Sequence, residues 1–158
     1  MSVLRFLMLL SLVVWLGGLI FFSFVVAPTV FSVLPTRHLA GSVVNRSLGW
    51  LHWMGIFSGL LFLASSMLYA HLTTGVAHPL AARHILLYIM LALTLISQFG
   101  ISPKMAALRA SMGEIDAVPA TDPSRIQFNA LHLWSTRLEG GVFLLGLVVV
   151  YLTAQRLA

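Results

Sequence analysis

The chain has 158 residues, of which 59% are hydrophobic and only 8% charged, with a formal net charge of +5. An ordinary soluble domain is about one quarter charged, so together with a mean hydropathy of +1.00 a water-soluble globular fold is excluded. No cysteine is present, which removes disulfides, thiolate metal sites, iron–sulfur clusters and cysteine nucleophiles. The basic residues stand singly at the ends of apolar runs. That is the placement of membrane orientation signals and not of a nucleic-acid footprint.

A bilayer core about 30 Å thick needs about 20 apolar residues at about 1.5 Å each, and four stretches qualify. The first span is predicted over about 3–34, with Arg5 near its start and Pro28 near its end. It is longer than a signal-peptide core of about 7–15 residues and is read as a retained helix. The second is predicted over about 42–72, with its apolar part from Leu48 to Leu72. The third covers about 82–112 (apolar from His84 to Ile101) and the fourth about 123–157, strongest from Leu138 to Leu157. Asp122-Pro123 supplies an N-cap acceptor followed by proline at the first helical position. The predicted connections are Pro35–Ser47, Thr73–Arg83 and Pro103–Arg125, the last holding the polar, turn-rich stretch Gly113–Thr121. The expected fold class is all-α: a bundle of four transmembrane helices forming one integral membrane domain over residues 1–158.

Side A, which bears both termini, carries Arg5, Arg83 and Arg156; side B carries Arg37, Arg46, Lys104, Arg109, Arg125 and Arg137. The excess of basic residues predicts that side B is cytoplasmic, with both termini outside a bacterial inner membrane. Gly17-Gly18, Gly55-x-x-x-Gly59 and Gly140-Gly141 with Gly146 are expected at helix contacts, where small residues let backbones approach. The halves also echo each other. Ala27-Pro28 and Ser102-Pro103 end the first and third spans, and Leu51-His52-Trp53 and Leu131-His132-Leu133-Trp134 open the second and fourth. A parallel two-plus-two repeat would place His52 and His132 at similar depth on opposite sides of the bundle.

Those histidines are the leading candidates for chemistry. His52 shares a helical face with Gly55, Gly59, Phe62 and Ser66, while Asn129, His132, Ser135 and Glu139 form a stripe on the fourth helix. Thr94, Ser97, Gln98 and Ser102 form another on the third. Polar groups at membrane depth are costly and usually face a cavity or each other. The pattern predicts a polar pocket opening to side B. Facing imidazoles of His52 and His132 would ligate a transition metal or haem b, with Asn129 nearby and Arg137 or Arg46 meeting the propionates. The same histidines stand beside Trp50, Trp53 and Trp134, so an interfacial, structural use stays open. Glu139 is the one carboxylate expected inside a span, paired with Arg137 or Lys104, bonded to Gln98, or acting as a proton relay. His71, His78 and His84 have no metal-ligand spacing and are expected to be solvated. No phosphate loop, nucleophile elbow or paired-carboxylate motif occurs, which argues against hydrolysis. The open functions are ligand binding, a small-solute or ion transport component, and a structural subunit, with the lipid bilayer, a homo-oligomer or a larger membrane complex as partners.

Three segments together resemble the transmembrane-protein-205-like family of uncharacterised membrane proteins. They are Trp15-Leu-Gly-Gly-Leu-Ile-Phe-Phe-Ser-Phe-Val-Val-Ala-Pro28-Thr-Val-Phe31, Ile101-Ser-Pro-Lys-Met-Ala-Ala-Leu-Arg109 and Phe128-x-x-x-His132-x-x-Ser135. The Trp-Leu-Gly-Gly segment is also similar to the membrane domain of copper-resistance protein D. The resemblance implies four membrane helices and a histidine near His52, but no established reaction. Sulfur-based platinum resistance, linked to animal members, does not carry over to a chain without cysteine. Arg137 and Glu139 depart from the small or amide residues usual at those positions.

Overall fold

A computed structural model describes residues 1–157, with side chains as far as Gln155. Among the described residues every regular element is helical. The first span runs without interruption through helix α1 (Ser2–Phe21), a π-helical turn (Phe22–Val26) and α2 (Ala27–Val33). The second is the single helix α3 (Arg37–Thr74). The third joins α4 (Ala82–Leu95), a second π-helical turn (Ile96–Ile101) and α5 (Ser102–Met112), and α6 (Pro123–Leu157) makes the fourth. All four are long and apolar enough to cross a membrane.

The two π turns have a common cause. Proline lacks an N–H and its ring collides with the carbonyl four residues back. In each span the widened turn stands just before a proline, Pro28 after Phe22–Val26 and Pro103 after Ile96–Ile101, where it absorbs the break without ending the helix. The first span packs chiefly on α3 and the third chiefly on α6, so the halves share a helix-pair plan as well as this device.

One boundary differs from expectation. The predicted connection Pro35–Ser47 is almost entirely helix, because the Thr36 hydroxyl accepts from the Leu39 N–H at 3.2 Å and caps α3 at Arg37. The third connection occupies 113–122, between the end of α5 at Met112 and the start of α6 at Pro123. At the far end of α3, Gly75 takes φ +78° and returns its N–H to His71 O at 2.9 Å, a left-handed stop that suits glycine.

At about 1.5 Å per residue, α3 is about 57 Å long, nearly twice a bilayer core. Trp50, Trp53 and Trp134 are exposed on the outer surface toward side B, and α3 and α6 continue beyond them to Arg37 and Pro123.

The main core buries Met8, Leu12, Trp15 and Leu19 against Phe62, Leu87, Met90, Val142 and Val149. The Trp15 indole lies directly over Gly55 and Gly59, where any added Cβ would enter the ring. Gly55→Ala is expected to lower stability by about 1–3 kcal/mol through overpacking, seen as a lower Tm in detergent. Gly140→Ala, with nothing within 4 Å of the added carbon, should leave Tm unchanged. A smaller core of Ile101, Met105 and Phe128 lies apart from the first and forms part of the wall described next.

Candidate functional site

Toward side B the spans enclose a cavity of about 510 Å³. Phe22 and Phe31 come from the first span, Leu48 from α3, Met105 from α5 and Phe128 from α6, giving walls that are largely apolar. Polar groups concentrate on α6, where Asn129, His132, Ser135, Thr136 and Glu139 line one side in order toward the membrane interior. Three guanidiniums, those of Arg37, Arg109 and Arg125, border the same space.

Their surroundings differ. Arg37 is exposed and pairs with Asp116 at 3.6 Å. Arg125 is half-buried and donates through Nη1 to Val118 O in the loop before α6. Arg109 is only 7% exposed, lies 5.2 Å from the Phe128 ring centroid and packs on Gly41. Its Nε has no hydrogen-bond partner among the described residues, and no carboxylate pairs with it. A buried cation without a counter-charge is costly, and the ring contact offsets only part of that cost.

Glu139 reaches the deep part of the cavity and meets His52 there. His52 Nε2 lies 2.7 Å from Glu139 Oε1, and Nδ1 lies 2.8 Å from Gln98 Oε1. Ser97 Oγ donates to the same carboxylate oxygen at 3.3 Å. The His52 side chain is 1% exposed and that of Glu139 16%. Second, third and fourth spans are thus joined by one polar cluster, on which the stripes of α3, α4 and α6 converge.

Several expected roles change. His52 and His132 are not a facing ligand pair, since both ring nitrogens of His52 are engaged by Gln98 and Glu139 while exposed His132 borders the cavity. Among the described residues no group of three or more His, Asp or Glu could hold a metal ion. The geometry gives no support to a metal or haem site. Arg137 is exposed and stacks on Trp134 at 5.5 Å instead of reaching a cofactor. Glu139 pairs with neither Arg137 nor Lys104, and the Gln98 bond goes to His52. Asn129 and Ser135 do line the cavity. Arg109, read from the sequence as an orientation charge, is the buried cation of the site; position alone gave no sign of this.

The side A histidines also divide. His84 is fully buried, its Nδ1–H donating to His78 O at 3.0 Å, so that Nε2 accepts from Ser66 Oγ at 2.8 Å. It ties the loop after α3 to the start of α4, whereas His71 and His78 are exposed. His84→Ala should cost about 1–3 kcal/mol by stranding the Ser66 hydroxyl, and His71→Ala should be neutral, a contrast that thermal melts measure. Arg5, expected only to orient the chain, donates to Tyr69 Oη at 2.6 Å and links α1 to α3. Arg156 lies outside the described side chains.

Fold and site define a class: a membrane protein of four apolar helices with an arginine-bordered cavity toward one end of the bundle and a buried histidine–carboxylate pair at its base. Residues 10–114 match the family described as Domain of unknown function (DUF4149), and the chain belongs to that family. The match covers well over half of the chain and includes His52, Gln98 and Arg109, while Glu139 lies beyond it. No curated protein and no solved structure matches the chain. The finer likenesses to the transmembrane-protein-205-like family and to copper-resistance protein D gain no support from these comparisons.

Proposed function

We propose that residues 1–158 act as one membrane domain that binds the acidic head of an amphiphile in the side B cavity, with the apolar tail along its walls. The observation that carries this reading is Arg109, 7% exposed at the cavity wall, with no hydrogen-bond partner for Nε and no carboxylate partner among the described residues. An anion in the cavity would supply the missing partner through charge-assisted hydrogen bonds. Arg37 and Arg125 add positive charge, and Phe22, Phe31 and Phe128 offer the apolar surface that an acyl or similar chain needs. Exposed Trp50, Trp53 and Trp134 toward the same end of the bundle support a cavity near the depth of the lipid phosphates. The basic-residue bias supports a cytoplasmic side B, which charge-reporter fusions at each terminus would check.

The test is native mass spectrometry of detergent-purified protein titrated with phosphatidylglycerol, phosphatidylcholine or inorganic phosphate. Retention of phosphatidylglycerol about tenfold tighter than phosphatidylcholine supports the proposal, at a cost of about 1.4 kcal/mol per decade. Equal retention of both lipids would refute it. Displacement of phosphatidylglycerol by inorganic phosphate at equal concentration would refute the amphiphile and point to a soluble anion.

A further inference from the structure

Resting on the anion-binding reading above, we infer that the His52–Glu139 pair is a proton-binding site at the base of the cavity, filled together with the anionic ligand. The hydrogen-bond pattern defines how many protons the pair holds. Gln98 presents its oxygen to His52 Nδ1 at 2.8 Å, and an amide oxygen only accepts, so Nδ1 carries hydrogen. The 2.7 Å contact between His52 Nε2 and Glu139 Oε1 then needs one more proton, held on either atom. In both cases the pair has no net charge.

Turning the Gln98 amide by half a revolution gives the second state. Its NH₂ then donates to Nδ1, the single imidazole hydrogen moves to Nε2, and Nε2–H donates to an ionised Glu139. The pair is now singly negative, and both ring nitrogens of His52 and Glu139 Oε1 still have their partners. Ser97 Oγ, which donates to Glu139 Oε1 at 3.3 Å, serves in either state. A proton can therefore enter or leave without stranding a buried group, the cost that normally prevents such exchange. His52 is sealed at 1% side-chain exposure, while Glu139 opens to the cavity at 16%, so the carboxylate is the route for the proton.

The anion and this proton share one cavity. From the first span no titratable group faces Glu139. From α3 come His52 and Arg37, the latter held by Asp116; from the π turn of the third span, Ser97 and Gln98; from α5, Arg109; and from α6 itself, Arg125 and His132. Removing one negative charge from the cavity base strengthens anion binding, by roughly tenfold for any two charges on the order of 10 Å apart at an effective dielectric of about 20, and by reciprocity the anion draws the proton in. Affinity for the anion then falls as pH rises.

Calorimetry decides the matter, using the full chain in non-ionic detergent with short-chain phosphatidylglycerol as probe. Titrations in two buffers of different ionisation enthalpy, over roughly pH 5–9 where a histidine site can exchange, count protons taken up per ligand. The expected result is uptake approaching one proton in the wild type, lost in Glu139→Gln and retained in His132→Gln. His52→Gln is the second variant should Glu139→Gln fail to fold, and it too should lose the uptake. Binding without proton uptake, or uptake that survives in Glu139→Gln or His52→Gln, would overturn the inference while leaving the anion site standing. Uptake lost in His132→Gln would assign the proton elsewhere and likewise overturn it. No binding of the probe at any pH would sink the anion-binding reading itself.

Discussion

Arg109→Met should give a protein that melts higher than the wild type and has lost its preference for acidic lipid. The two effects share one cause. In the folded chain the Arg109 guanidinium is buried against Phe128 and Gly41 with no carboxylate partner among the described residues, so folding strips its hydration without full compensation. Methionine keeps the unbranched stem and drops the charge, and such replacements of buried charge are neutral to stabilising by about 1–4 kcal/mol. Bound anion reverses the balance, because a charge-assisted hydrogen bond contributes about 1.5–3 kcal/mol, or about 10–100-fold in affinity. Thermal melts with and without phosphatidylglycerol measure both at once. A variant that melts lower than the wild type while binding normally would show that Arg109 serves the fold and not a ligand.

His52→Ala is expected to be the most destabilising single change in the chain, by about 3–5 kcal/mol. It leaves Glu139 and Gln98 facing a void between three spans, with their hydrogen-bonding atoms unanswered. Removing the whole cluster is expected to cost far less. In the quadruple variant His52→Leu, Ser97→Ala, Gln98→Leu, Glu139→Met no polar side-chain atom of the cluster remains to be stranded. Denaturant unfolding of the single and quadruple variants separates the two cases. A loss below about 1 kcal/mol for His52→Ala, within the range of an ordinary surface change, would mean that water answers these groups and that the cluster is not sealed.

Both predictions concern residues whose type was visible in the sequence and whose setting was not. His52 was a candidate because it shares a face with Gly55 and Gly59, and that face does pack inward, against Trp15. Gln98 and Glu139 stood on separate stripes of their own helices. Helical periodicity gives the direction of a side chain around its own axis, but not the height at which two helices are set against each other. That height turns three separate stripes into one hydrogen-bonded cluster, and it engages His52 with Glu139 where the sequence suggested His132. Arg109 was misread for a related reason. A basic residue at a helix exit looks the same in sequence whether it lies exposed on the outer surface, as Arg137 does beside Trp134, or turns under Phe128.

His84 marks the same limit on side A. Its spacing from His71 and His78 gave no motif, and only the return of the loop over α4 puts His78 O within 3.0 Å of its ring. The error at the start of α3 was of another kind, since Pro35-Thr36 was a local helix-start signal and was readable.

Length, composition and charge by themselves settled the class of this protein. With 59% hydrophobic and 8% charged residues in 158, a chain has too few polar groups to cover a water-facing surface, and lipid leaves helices and closed barrels as the spanning forms. Four apolar runs of sufficient length then set the number of helices. Which of the few polar residues meet was decided by tertiary packing alone. Burial, register and the absence of a counter-charge are properties of several helices together, and no single run of sequence contains them. The excess of positive charge that first read as an orientation signal includes Arg109, and packing made that residue the buried cation of a cavity.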